Sequence, residues 1–188
     1  MRVKIIFGTD TGNTELVVED LVKLLDNSES FIEDAPEFNY EVIPVPDIDE
    51  NTWNDADLFI LGIPTWYDGE LQSDWEEYFE EFKTIDFTGK VVSIFGLGDQ
   101  LGYEEWFCDG VGILAQTIIK NGGQTIGWTD IDDSYDLEEQ PKSMYNESCF
   151  YGLCLDEDNQ PELTQDRLKN WVEKIIYEQR DYKYKHLQ

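Results

Sequence analysis

The chain's chemistry is concentrated in one run near its start, Gly8-Thr9-Asp10-Thr11-Gly12-Asn13-Thr14. The run lies between a short β-rich apolar segment and a helical pattern. Its backbone N–H groups and three Thr hydroxyls therefore gather at the positive end of a helix, where an anion is stabilised. A nucleotide triphosphate loop needs Gly-x-x-x-x-Gly-Lys-Ser/Thr, and a dinucleotide fold needs Gly-x-Gly-x-x-Gly; this run has neither. Neutral donors without Lys or Arg suit a single terminal phosphate monoester. Taken alone, the run fits equally well a Thr/Gly turn that merely caps the helix.

Two later segments share its character. Pro64-Thr65-Trp66-Tyr67-Asp68-Gly69-Glu70-Leu71 puts a Trp just beyond an apolar run, among turn residues, where it can cover a flat ring or simply pack. Gly96-Leu97-Gly98-Asp99-Gln100-Leu101-Gly102-Tyr103 lets backbone approach a ligand closely and ends in a second ring. Two aromatic rings at adjacent strand ends make a slot.

The elements that must position these loops are legible as alternation. Val3 to Phe7, Val42 to Val45, Leu58 to Ile63, Val91 to Phe95 and Thr125 to Trp128 read as buried parallel strands. Leu16 to Leu25, Trp75 to Phe82, Ile113 to Ile119 and Leu168 to Ile176 repeat apolar residues at helical spacing, the last with Thr164 as its cap. Five β-α units in this order predict an α/β fold. The sheet is doubly wound, parallel and five-stranded, with helices on both faces and ligands bound beyond the carboxyl ends of the strands. Residues 129–148 form an acidic excursion before Cys149 to Leu155 resumes a strand-like run, so the fifth strand is expected to be interrupted by an insertion. Asn27 to Asn39 is a polar connection without evident chemistry. The whole chain, 1–188, reads as one domain; its end, 180–188, sets Arg180, Lys183 and Lys185 against Asp181 alone and is expected to be a mobile tail, the other reading being a docking contact or a strap over the acidic surface.

Composition narrows the function. Forty-two acidic residues against 13 basic ones give a net charge of −29, yet six Trp, ten Tyr and ten Phe supply a real core. Such a surface repels nucleic acid and anionic membranes and attracts basic proteins. Nothing approaches the roughly 20 apolar residues of a membrane span, and the start lacks a signal-peptide layout, so a cytoplasmic location is expected. The three cysteines fit no zinc pattern. Cys149 and Cys154, five apart on one predicted strand, would lie about 16 Å apart, beyond disulfide reach.

These segments together resemble the flavodoxins, specifically the long-chain kind. The resemblance is carried by Thr9 to Thr14, by Pro64-Thr65-Trp66 with Gly69-Glu70-Leu71-Gln72-Ser73-Asp74-Trp75, by Gly98-Asp99-Gln100 with Gly102-Tyr103, and by Leu155-Asp156-Glu157-Asp158-Asn159. The insertion at 129–148 falls where long-chain members carry theirs. The resemblance implies non-covalent flavin mononucleotide (FMN) and a low-potential, one-electron carrier rather than an enzyme. It also implies a monomer shuttling between a basic partner, such as a ferredoxin/flavodoxin–NADP reductase, and electron-accepting enzymes. By the same analogy Thr9, Asp10, Thr11, Gly12, Asn13 and Thr14 wrap the phosphate. Trp66 covers one face of the ring and Tyr103 the other, with Tyr67 at the dimethylbenzene edge and Asp99 and the backbone near Cys108 at the pyrimidine edge. Pro64, Thr65, Asp68, Gly69, Leu97, Gly98, Gly102 and Phe107 complete the cofactor contacts, and Asp158 touches the ribityl chain. No metal is implied.

The charge argues separately for a low potential. Each carboxylate about 15 Å from a reduced, anionic flavin costs roughly 0.3 kcal/mol in water before screening, and many act together.

Some residues depart from the family pattern. Asp10 puts a carboxylate inside the phosphate loop. Asp68 stands where relatives turn a peptide toward the reduced ring and is expected to resist the positive φ that turn needs. Trp106 fits a shield for the flavin edge as well as it fits packing. The acidic run Asp130, Asp132, Asp133, Asp136, Glu138 and Glu139 fits a docking patch or a solvated insertion. His186, the only histidine, is not expected to act as a catalyst. Three rival functions have distinct signatures. A flavin-dependent quinone or NADPH oxidoreductase would turn over with NADPH alone. A receiver domain would need an Asp where Ile63-Pro64-Thr65 stands. A cofactor-free interaction protein would be colourless.

Overall fold

The computed structural model describes residues 1–186; the expectation for the His186 side chain and the last two residues of the tail lie outside the described residues. The chain forms β1 (Arg2–Phe7), α1 (Asn13–Asp26), β2 (Asn39–Pro44), β3 (Leu58–Trp66), β4 (Glu70–Leu71), α2 (Ser73–Phe82), β5 (Val91–Leu97) and α3 (Asp109–Lys120). It continues with β6 (Gln124–Ile126), β7 (Thr129–Asp130), β8 (Met144–Asn146), β9 (Cys149–Phe150), β10 (Leu153–Leu155) and α4 (Pro161–His186).

The main sheet runs β10-β5-β3-β1-β2, all parallel. Residue alternation assigns its two faces. Val3, Ile5 and Phe7 of β1 point to the side covered by α1 and α4, where Leu21, Leu25, Trp171 and Ile175 pack. Ile6, with Phe59, Leu61 and Ile63 of β3, points to the side covered by α2 and α3, among Trp75, Phe82, Leu114 and Ile118. Both faces are apolar because both are buried, which is why the strands read as unbroken hydrophobic runs.

The fifth strand position is filled in two pieces, as expected. β6 pairs with Val91 to Ser93 and β10 with Phe95 to Leu97, along the same edge of β5. The excursion between them is larger than the sequence pattern indicated. Cys149 and Phe150 do not belong to the resumed strand; they form the centre of a small antiparallel sheet, β7-β9-β8. Cys149 and Cys154 thus sit on different elements, and all three cysteines are free thiols.

Three further expectations are corrected. The β2-to-β3 connection carries only a 3-10 turn at Val45–Asp47, so four α-helices serve the sheet rather than five. This segment has too few apolar residues at helical spacing and holds Pro44 and Pro46. Helix α4 starts at Pro161, whose missing N–H is harmless in a first turn, so Thr164 lies a turn inside; its hydroxyl donates to Glu157. Through His186 the expected mobile tail instead continues α4. Arg180 donates to the Glu33 and Asp34 carbonyls, and Lys183 pairs with the half-buried Asp57 at 2.8 Å.

Among the described residues, no helix is long and apolar enough to cross a membrane.

Candidate functional site

Three chain segments leave the carboxyl ends of β1, β3 and β5, which are neighbours in the sheet, and meet above them. Between them lies an open depression of about 210 Å³ lined by Thr11, Asn13, Thr14, Pro64, Thr65, Trp66, Tyr67, Leu97, Gly98, Asp99, Tyr103, Trp106, Phe107, Glu157 and Asp158. No Lys or Arg is among them.

The β1–α1 loop is shaped by its own side chains. Gly12 adopts φ +90 at the start of α1, a conformation that costs other residues about 1 kcal/mol or more, and its N–H donates to Thr9 Oγ1 at 3.0 Å. Thr9 is therefore occupied inside the loop, while Thr11, Asn13 and Thr14 face the depression. No side chain caps α1, so its first N–H groups stay available. Asp10 does not line the depression. Its exposed carboxylate accepts from Ser73 Oγ at 2.6 Å and Gln72 Nε2 at 2.9 Å.

The second wall is a hairpin. β3 runs on past Ile63, so Pro64, Thr65 and Trp66 are strand residues, and β4 pairs back with Trp66 opposite Glu70. The turn between them has positive φ at Tyr67 (44°) and Gly69 (83°) but not at Asp68. Asp68 is exposed and does not line the depression, whereas the Tyr67 ring is 66 % exposed at its rim, 6.2 Å from the Trp66 ring. Thr65 Oγ1 accepts the Gly110 N–H at 3.0 Å, which couples the hairpin to the start of α3.

The third wall turns on Asp99. Its Oδ1 accepts the Gly102 N–H at 2.7 Å, the Asn159 amide at 2.9 Å and the Leu101 N–H at 3.0 Å. Burial works against ionisation, but these hydrogen bonds outweigh it and hold the carboxyl below its ordinary range. Gly102 thus serves the loop's shape, and Tyr103 supplies the ring. Phe107 lines the floor. Cys108 lies beneath it, fully buried at the start of α3 with φ +54. Burial pushes its thiol well up, and the neighbouring Cys154 adds to this.

The segment following β10 closes the remaining side. Buried Asp156 accepts from the Gln100 backbone and amide and from Asn159, which locks this turn to the β5 loop and presents Glu157 and Asp158 to the depression. The insertion braces the same loop from outside. Asp136 N–H donates to Gln100 Oε1 at 2.9 Å, Glu138 and Glu139 N–H groups donate to Glu104, and Ser143 Oγ donates to the Phe107 carbonyl at 2.6 Å.

Sequence reasoning did not include Glu157 among the site residues and left Trp106 undecided. Both line the depression, Glu157 because Asp156 and Asn159 fix its turn. That role for Asp156 needs the partner Gln100, which is distant in sequence.

Two buried polar atoms of the lining have no protein partner: Thr14 Oγ1 and Trp66 Nε1. An unpaired buried donor costs about 1–3 kcal/mol, so Thr14 Oγ1 fits an accepting group at the start of α1, while the Trp66 and Tyr103 rings in the same lining offer apolar surface.

A flavodoxin family model matches residues 5–171. The flavodoxin of a Nostoc species is 41% identical over 177 residues, covering 93% of this chain and 95% of that one. The flavodoxin of Buchnera aphidicola is 38% identical over 175 residues, covering 93% and 95%. The crystal structure of Fusobacterium nucleatum flavodoxin bound to flavin mononucleotide is similar at TM-score 0.82 and 32% identity, covering 94% of this chain and 98% of that one. With its fold, its three converging loops and these similarities, the chain belongs to the flavodoxin family.

Proposed function

We propose that this chain binds one FMN non-covalently in the depression and acts as a low-potential, one-electron carrier. The observation that carries the reading is Thr14 Oγ1, buried and unpartnered at the start of α1, in one depression with the Trp66 and Tyr103 rings. Thr14, with Thr11, Asn13 and the free N–H groups of the first turn of α1, suits the phosphate. Trp66 and Tyr103, on opposite walls, suit the two faces of the ring. The backbone at Gly98 and Asp99 suits its pyrimidine edge, and Asp158 with Glu157 suits the ribityl hydroxyls. FMN supplies the redox chemistry, taking up and returning electrons one at a time. The chain's own residues hold it, exclude water from its faces and surround it with negative charge.

That charge favours the oxidised form, because the lining brings no cation close while the surface carries a net −29. The same surface selects partners: a basic reductase as donor and electron-accepting enzymes beyond it. Of the six acidic residues of the run from Asp130 to Glu139, Asp130, Asp132, Asp133, Glu138 and Glu139 are exposed or partly exposed, as is Asp136, and all are available to such a partner. The chain is proposed to work as a monomer in the cytoplasm.

Extraction of the flavin tests the cofactor. Denaturing the purified yellow protein should release about one FMN per chain, since the contacts are non-covalent. Release of FAD, or a colourless preparation that takes up no FMN, would contradict the proposal.

A further inference from the structure

The phosphate-facing loop contains a carboxylate, and the structure shows why this is tolerable. Asp10 is anchored on the far side of the loop by Ser73 Oγ at 2.6 Å and Gln72 Nε2 at 2.9 Å. Gln72 is fully buried and tied at both ends of its amide. Its Nε2 also donates to Asp74 Oδ2 at 2.8 Å, and its Oε1 accepts the Trp75 N–H at 3.2 Å, which caps α2. The side chain passes directly beneath the strand end that launches the loop: a Cβ on Gly8 would lie 2.0 Å from Gln72 Oε1. Gln72 therefore has one position, fixed by α2, and from it reaches Asp10.

We propose that Gln72, assisted by Ser73, is a positioning residue that holds the Asp10 carboxylate away from the ligand phosphate, so that an acidic residue can occupy a phosphate-binding loop. The inference rests on the FMN reading above and assigns Gln72 and Ser73 a part in phosphate affinity although neither lines the depression. Freed from its anchors, Asp10 lies one and two residues from Thr11 and Gly12 and can swing toward the anion, where like charges repel. The effect is confined to ligands that carry the phosphate.

The test is titration of the full-length, flavin-free protein with FMN and with riboflavin, which lacks the phosphate. Gln72→Met keeps the volume and removes both hydrogen-bonding ends; it should weaken FMN about tenfold and leave riboflavin unchanged within about twofold. Adding Asp10→Asn should restore most of the FMN affinity, because the repelling charge is gone. Ser73→Ala, at an exposed position that leaves the core intact, should weaken FMN by a smaller factor and be rescued by the same change. The inference is overturned if both ligands weaken equally, or if Asp10→Asn fails to rescue either variant. A wild-type chain that binds riboflavin and FMN equally well overturns it too, while leaving a flavin site in place. Binding of neither flavin by the wild type would instead remove the FMN reading on which it rests.

Discussion

The side-chain amide of Asn159 donates to Asp99 Oδ1 at 2.9 Å, joining the turn before α4 to the loop after β5. Two segments 60 positions apart thereby become one wall of the depression. The carboxylate at the centre of this link must be charged to accept as well as it does.

This gives a pH dependence with a defined sign. Asp99 is held below its ordinary value of 3.8, so it stabilises the fold above that pH, and the contribution fades as pH falls through the lowered value. Asp99→Ala should cost about 1 kcal/mol at pH 7, because hydrogen bonds to a half-exposed carboxylate are lost. In urea unfolding the gap between variant and wild type should narrow steadily as the pH is lowered below 3.8. A gap independent of pH would show that the side chain acts by packing alone.

Asp68 has negative φ in a turn where Tyr67 and Gly69 already take positive values. Turning the peptide between Tyr67 and Asp68 would force a third, at a cost to Asp that Gly does not meet, of order 1 kcal/mol. Asp68→Gly should therefore raise the maximum population of the one-electron-reduced form in a potentiometric titration. Equal maxima in the two proteins would exclude the effect.

The end of α4 should matter for stability and not for flavin. Deleting residues 180–188 removes the Arg180 bonds to Glu33 and Asp34 and the Lys183–Asp57 pair, together worth about 1–2 kcal/mol. Asp57 immediately precedes the amino end of β3, and the depression lies beyond the carboxyl ends. The expected result is a melting temperature lower by several degrees, about 2–8 °C, with FMN affinity unchanged. An unaltered melting temperature would mean the segment contributes no net stabilisation.

The cysteines should separate by burial. Cys108 and Cys154 are buried, whereas Cys149 is partly exposed, its thiol raised chiefly by what burial it has. A thiol reagent should label Cys149 slowly in the native protein and all three after unfolding. Fast native labelling at Cys108 would contradict its place beneath the site floor.

The sequence was informative where one residue type answers to one local requirement. Apolar runs with both faces buried read as parallel strands, and the Gly/Thr run after β1 reads as the turn that opens α1. Legibility ended where the partner is distant in the chain. Asp10 looked misplaced until Ser73 and Gln72 were found holding it. The segment from Arg180 onward reads as a frayed terminus because its anchors, Asp57 and the 33–34 carbonyls, lie more than 120 positions earlier. Cys149 reads as part of the resumed fifth strand because a β-rich run does not declare which sheet it joins.

The most direct test of the carrier claim is rapid-mixing reduction of the purified yellow protein under anaerobic conditions. The account predicts that NADPH alone leaves the flavin oxidised. Adding a catalytic amount of a basic flavodoxin reductase should reduce it, with the rate falling steeply as salt rises, because opposite charges steer the encounter. Prompt two-electron reduction by NADPH without a reductase would contradict the account and identify an oxidoreductase instead.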